Sequence, residues 1–114
     1  MNKFLLLFTL FAIFACASRK NAQYAPYIDK VKHLYPDYTV NAYLAGKEYY
    51  ETKCIACHKL KDPASKTEEE WNLIVPKMVE MANKNAANID AKMQTTINRY
   101  VVTMSKTYVT VPQP

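Results

Sequence analysis

Residues 54–58 read Cys-Ile-Ala-Cys-His, and no other segment constrains the fold of this chain so strongly. Two thiols three positions apart, followed at once by an imidazole, suit three chemistries: covalent attachment of a c-type haem, a thioredoxin-like dithiol, or half of a zinc site. Each asks for different surroundings. A haem needs helices packed around a flat apolar body, a dithiol site needs a βαβ unit, and zinc needs a second ligand pair.

The cysteine count separates these possibilities. The chain holds three cysteines and two histidines. Zinc on Cys54 and Cys57 would need two more ligands from Cys16, His33 and His58, and His58 adjoins Cys57 too closely to close a tetrahedron with both thiolates. A second pair at zinc spacing is absent from the sequence. The flanking apolar periodicity is helical on both sides, which disfavours the dithiol reading. Thioether attachment through Cys54 and Cys57 remains, with His58 held beneath the iron as proximal ligand.

The amino terminus bears on the compartment. Met1-Asn2-Lys3 is a short positive start, and Phe4 to Phe14 is almost continuously apolar, which reads as a signal peptide too short to span a membrane. Ile13-Phe14-Ala15-Cys16 resembles the lipobox of exported bacterial lipoproteins. That resemblance implies removal of residues 1–15 and acylation of Cys16, a lipid anchor to a membrane on the periplasmic side. Ala15-Cys16-Ala17 also fits an Ala-x-Ala cleavage site, which would make Ser18 the first residue. Lipidation gives the third cysteine a use. Either route exports the chain to where c-type haem is attached.

Residues 16–114 suffice for one small domain with a thin core, so a buried haem would supply much of its apolar interior. The whole chain carries a net charge of +5, and loss of Lys3 with the signal lowers it to +4. Two haem propionates would bring that to about +2, and the cations are scattered, so no nucleic-acid partner is expected.

Residues 16–38 read as a lipid-anchored tether, polar and rich in tyrosine and broken by Pro26 and Pro36. Within it Ile28, Val31, Leu34 and Tyr35 recur at helical spacing and predict a short helix lying on the domain. The domain proper spans 39–104. A first helix is predicted from an N-cap at Thr39 toward Cys54, with Gly46, Tyr50 and Cys54 on one face. Gly46 is the only glycine. Because glycine inside a helix costs about 1 kcal/mol against alanine, its presence predicts close approach of another helix.

Thr67 and Glu70 have the form of a capping box, and Glu68, Glu69 and Glu70 suit the positive end of a second helix. Its stripe of Trp71, Ile74, Val75, Met78 and Met81 is predicted to face the interior, with Pro76 kinking the helix or marking a restart. Asn83–Asn88 is a polar connection. Asp90 caps a third helix with Met93, Ile97, Tyr100, Val101 and Met104 on one face. Residues 105–114 have no periodicity and are expected to form an extended tail.

Residues 39–104 resemble the small monohaem c-type cytochromes of class I. In that family the first helix carries a glycine, an aromatic four residues on, and then Cys-x-x-Cys-His, as Gly46, Tyr50, Cys54, Cys57 and His58 do here. Its last helix carries an aliphatic residue three before an aromatic, as Ile97 and Tyr100 do, and crosses the first helix at the glycine. The resemblance implies an all-α fold of about three helices around one covalently bound haem. It implies electron transport in a bacterial respiratory or oxidoreductase chain outside the cytoplasm, with redox proteins or a membrane oxidoreductase complex as partners. A catalytic site and a small-molecule substrate are not expected.

The sixth iron ligand has two candidates, because the interval from His58 to Ile97 is short and lacks the glycine-containing loop common in the family. Trp71 followed seven residues later by Met78 looks like certain compact exported cytochromes, which makes Met78 the first choice and Met81 the alternative. A thioether ligand raises the haem potential relative to a second imidazole, which suits a one-electron carrier. Met93 and Met104 are expected in the core, and His33 on the surface. Trp71 is either a hydrogen-bond donor to a haem propionate, as in some relatives, or a core aromatic. Lys53, Lys59, Lys61 and Lys77 flank the haem-bearing segments and can steer an acidic partner. The alternative is a haem with an open iron site, a gas sensor or peroxidase; the single haem motif and the lack of an output domain weigh against it.

Overall fold

A computed structural model describes residues 2–55 and 59–109; for Asn2, 4–15 and Ala17 it describes the backbone alone. Among the described residues the chain is a small all-α domain of four helices with no strands: α1 (Asn2–Asp29), α2 (Val40–Lys53), α3 (Glu68–Lys84) and α4 (Ala91–Thr103), with a 3₁₀ turn at Pro63–Ser65. Cys57 and His58 lie outside the described residues, as do residues 110–114. No helix among the described residues is long and apolar enough to cross a membrane.

Local signals place the three helix starts. The Thr39 hydroxyl accepts the Ala42 amide at 3.1 Å. Thr67 and Glu70 form the reciprocal capping box, with the Glu70 amide 3.2 Å from the Thr67 hydroxyl and the Thr67 amide 2.7 Å from the Glu70 carboxylate. The Asp90 carboxylate accepts the Met93 amide at 2.8 Å. The Glu70 carboxyl titrates below its ordinary value, chiefly because it accepts that Thr67 amide.

The α2–α4 crossing organises the core. An ideal Cβ built on Gly46 would lie 2.5 Å from the Thr96 carbonyl oxygen and 2.7 Å from the Tyr100 Cβ, so only glycine admits this approach. Tyr43 and Tyr50, on the same buried face of α2, pack their rings on Tyr100 with centroids 5.4 and 5.9 Å away. The Tyr43 hydroxyl donates to the Met104 sulfur at 3.3 Å.

Helix α3 is rotated from the expected orientation. Its buried face is Trp71, Val75, Val79 and Ala82. Ile74 and Met78 pack at the margin of the core, and Met81, expected inside, is 58% exposed. Pro76 sits within a continuous α3, and Pro26 within a continuous α1. Each deprives the carbonyl four residues earlier of its donor, but Pro26, Pro76, Ala22 and Asn72 are all exposed, and water can satisfy the freed groups.

The arm expected as a tether is part of the core from Tyr24 onward. Ile28, Val31 and Tyr38 are buried, with Val31 fully inaccessible; each such aliphatic residue contributes about 1.5–3 kcal/mol of burial. Tyr27 stacks on Tyr43, with centroids 6.1 Å apart. Asp37 pairs with Arg99 at 3.4 Å, and the Arg99 guanidinium lies over the Tyr35 ring. Only the stretch from Cys16 to Gln23 resembles the expected tether, and it is helical and exposed at the positions whose side chains are described.

The expected extended tail is also docked over its described part. Ser105 is buried, and the amides of Tyr108 and Val109 turn back onto its carbonyl. Lys106 donates its amide to the Lys66 carbonyl at 2.9 Å, and Thr107 accepts the Glu68 amide at 3.0 Å. The Tyr108 hydroxyl donates to the Glu68 carboxylate. This segment thus closes over the amino-terminal end of α3, where free amides await partners.

The turn after α3 is a Schellman motif: the Ala87 amide reaches the Ala82 carbonyl and the Ala86 amide the Asn83 carbonyl. Ala86 takes the left-handed conformation, with φ 62°, at the position where glycine is preferred. Ala86→Gly is therefore expected to stabilise the fold by about 1 kcal/mol. A urea midpoint unchanged or lowered by the substitution would contradict this.

Candidate functional site

The motif begins where α2 ends. Cys54 caps the helix, its amide bonded to the Tyr50 carbonyl at 3.3 Å. Its thiol is half-buried against the core, and burial pushes its pKa up. Next to it Lys53 donates its ammonium to the Ala87 carbonyl at 3.0 Å, fastening the end of α2 to the α3–α4 turn.

The chain that follows the motif is fastened with equal care. The Tyr50 hydroxyl donates to the Lys61 carbonyl. Asp62 caps the 3₁₀ turn by accepting the Ala64 amide at 2.9 Å, with Pro63 at the first position of that turn. The indole of Trp71 donates to the Pro63 carbonyl at 2.8 Å, and the residue is fully buried. Both ends of the segment carrying Cys57 and His58 are thereby tied to helices, the arrangement that holds a site on rigid elements. The Asp62-Pro63 pair was the sequence signal for this turn, an N-cap residue before a proline. That Trp71 would close it from the far side had no local signal.

Trp71 is a core aromatic in this structure, edge-on to Tyr50 with centroids 6.1 Å apart. Its N–H is already used, so a propionate contact would have to displace the Pro63 carbonyl. Met78 is half-buried against the core and Met81 is exposed. Met104 is buried and Met93 half-buried, as expected of core filling. His33 is exposed, its ring 5.9 Å from that of Tyr108. Cys16 is exposed and carries a free thiol.

The residues present suit a flat apolar macrocycle. Ile74, Met78 and Met81 form a line along α3 at i, i+4 and i+7 that the protein core leaves partly or wholly uncovered. Ile55 is 57% exposed. Ile55 lies within the motif itself, and large apolar side chains left open there are what a covalently attached ring would cover. No protein-family model, curated protein or solved structure matches the chain.

Proposed function

We propose that the protein is a one-electron carrier with a single covalently attached c-type haem. Cys54 and Cys57 would hold the ring through thioethers, His58 would be the proximal iron ligand, and Met78 the distal one, with Met81 the alternative. The observation that carries this reading is the Cys-x-x-Cys-His run at the end of a helix anchored through Gly46, its first thiol half-buried at the core margin. When bound, the haem would supply a one-electron couple. The chain's own residues fasten the attachment segment through Tyr50, Asp62 and Trp71, and would offer Ile74, Met78 and Ile55 as apolar cover that excludes water.

Export and a lipid anchor at Cys16 accord with this function. Because the arm is packed from Tyr24 onward, only a short exposed helical stretch would separate such an anchor from the domain. The carrier would then work close to the membrane, with redox proteins or a membrane oxidoreductase complex as partners. Exposed Lys61 and Lys77 would favour an acidic docking surface.

Expression with a c-type haem maturation system tests the reading. Haem is expected to stay on the chain under denaturing conditions and to be lost from Cys54→Ser, Cys57→Ser double variants; a chain that never retains it is not a c-type cytochrome. The methionine-to-iron charge-transfer band is expected to disappear in Met78→Ala and survive in Met81→Ala, and the reverse pattern assigns Met81. A high-spin ferric spectrum in the unsubstituted protein, with ready carbon monoxide binding after reduction, would select the open-site alternative.

A further inference from the structure

The rings of Trp71, Tyr50, Tyr100, Tyr43, Tyr24 and Tyr27 form one unbroken line through the core. Successive centroids are 6.1 Å apart from Trp71 to Tyr50, 5.9 Å from Tyr50 to Tyr100, and 5.4 Å from Tyr100 to Tyr43. From Tyr43 the line forks to Tyr24 at 5.4 Å and to Tyr27 at 6.1 Å. All of these lie in the range of direct ring contact. One end is fully buried at Trp71 and Tyr50, one helical turn from Cys54. The other end reaches solvent, since Tyr24 and Tyr27 are only half-buried.

Packing alone does not explain the choice of tyrosine. Phenylalanine or leucine would fill the same space without burying hydroxyls, which cost free energy unless well bonded. The Tyr43 hydroxyl donates to a thioether sulfur, a weak acceptor, at 3.3 Å, whereas the Tyr50 hydroxyl also serves the attachment segment through the Lys61 carbonyl. What phenol and indole rings share, and aliphatic side chains lack, is ready one-electron oxidation.

We infer that this line conducts oxidising equivalents from the buried Trp71–Tyr50 end to the surface at Tyr24 and Tyr27. The inference goes beyond electron carriage and does not depend on it. The initial oxidant belongs to the class of peroxide-derived one-electron oxidants, which take one electron from Trp71 and are themselves reduced. Trp71 is refilled by an electron from Tyr50, Tyr50 from Tyr100, Tyr100 from Tyr43, and Tyr43 from Tyr24 or Tyr27. At that last ring the hydroxyl proton passes to water and a neutral phenoxyl radical remains. In sum, one electron travels inward and one proton leaves at the surface. At the inner rings the hydroxyl proton stays in its hydrogen bond, Tyr43 to the Met104 sulfur and Tyr50 to the Lys61 carbonyl, so the vacancy passes on and the proton is released only at the wet end. The device diverts oxidative damage from the thiol-bearing end of α2.

Trp71 is the only tryptophan, so the vacancy can be created there selectively. The full-length chain as isolated is flash-photolysed at the red edge of indole absorption, where tyrosine is transparent, with cobalt(III) hexaammine as irreversible electron acceptor. The indolyl radical band is expected to give way to a phenoxyl band. Adducts of a nitroso spin trap, mapped by mass spectrometry, are expected on Tyr24 and Tyr27 rather than on Tyr49 or Tyr108, which are half-buried but off the line. Tyr50→Phe or Tyr100→Phe is expected to slow the transfer by more than an order of magnitude while keeping the ring in place. Tyr24→Phe/Tyr27→Phe, which leaves the inner core untouched, is expected to abolish the surface adducts and prolong the indolyl radical. Indolyl decay at one rate in all variants, or adducts on Tyr49 and Tyr108 as abundant as on Tyr24 and Tyr27, would overturn the inference. A bound haem would absorb the flash and quench Trp71, so the Cys54→Ser/Cys57→Ser chain is photolysed in parallel; absence of the relay in both chains overturns this inference alone, while haem retention tests the carrier reading separately.

Discussion

Gly46→Ala is expected to destabilise the fold by about 3 kcal/mol, since overpacking a tight contact costs about 1–3 kcal/mol or more and here also disturbs two ring pairs. The added methyl carbon would meet the Thr96 carbonyl at 2.5 Å and the Tyr100 Cβ at 2.7 Å. Neither atom is the end of a flexible side chain. One belongs to the α4 backbone and the other anchors a buried ring, so relief requires moving α4 as a body. Moving it loosens the Tyr43–Tyr100 and Tyr50–Tyr100 contacts together. Alanine's better helix propensity returns about 1 kcal/mol, too little to reverse the sign. Urea denaturation measures the effect, with Ala45→Gly as a neighbouring control expected to cost only the propensity difference of about 1 kcal/mol. A Gly46→Ala midpoint at or above the unsubstituted value would refute the crossing geometry. If Gly46→Ala does fall short of folding, Gly46→Ser should behave likewise, because its Cβ meets the same atoms.

Alkaline pH is expected to unfold the protein steeply from pH 10 upward. Burial pushes the phenols of Tyr38 and Tyr50 up to about 12, and raises those of Tyr43 and Tyr100 further. The ordinary value is 10.0 for each. In the unfolded chain these phenols release their protons near pH 10, whereas in the folded chain they keep them. The unfolded state therefore binds fewer protons, and stability falls as pH rises until the folded values are reached. Each phenol removes at most about 1.4 kcal/mol per pH unit, so the four together remove up to about 5 kcal/mol per unit, as much as the whole stability of a small domain. A backbone hydrogen bond with Lys61 offsets part of the rise at Tyr50. Tyrosinate absorbance from these four rings is expected to appear together with loss of the helical circular dichroism signal. Complete ionisation with helix content unchanged would show that the four hydroxyls are not shielded.

The helix starts at Thr39, Thr67 and Asp90 were legible because capping is local: a side-chain oxygen reaches an amide two or three residues on, whatever the rest of the chain does. The buried side of α3 was less so. Trp71, Ile74, Val75, Met78, Val79, Met81 and Ala82 cover a broad apolar arc, wide enough to dock in more than one rotation. The choice of Trp71, Val75, Val79 and Ala82 follows from where α4 packs and from the hydrogen bond that draws the Trp71 indole to the Pro63 carbonyl. Pro26 and Pro76 do not end their helices, because both fall on the wet side.

The residues alone determined the chemistry open to Cys54, Cys57 and His58, the three helices with their caps, and the need for a close crossing at Gly46. Only the tertiary structure decided that Gly46 meets Thr96 and Tyr100, that residues from Tyr24 onward belong to the core, and that Ser105 to Val109 fold back onto α3. It also strung the tyrosines into a single line. The physical reason is that caps, turns and thiol spacing are satisfied within a few residues. Burial is satisfied only by partners distant in the chain, such as Tyr43 and Met104, 61 positions apart.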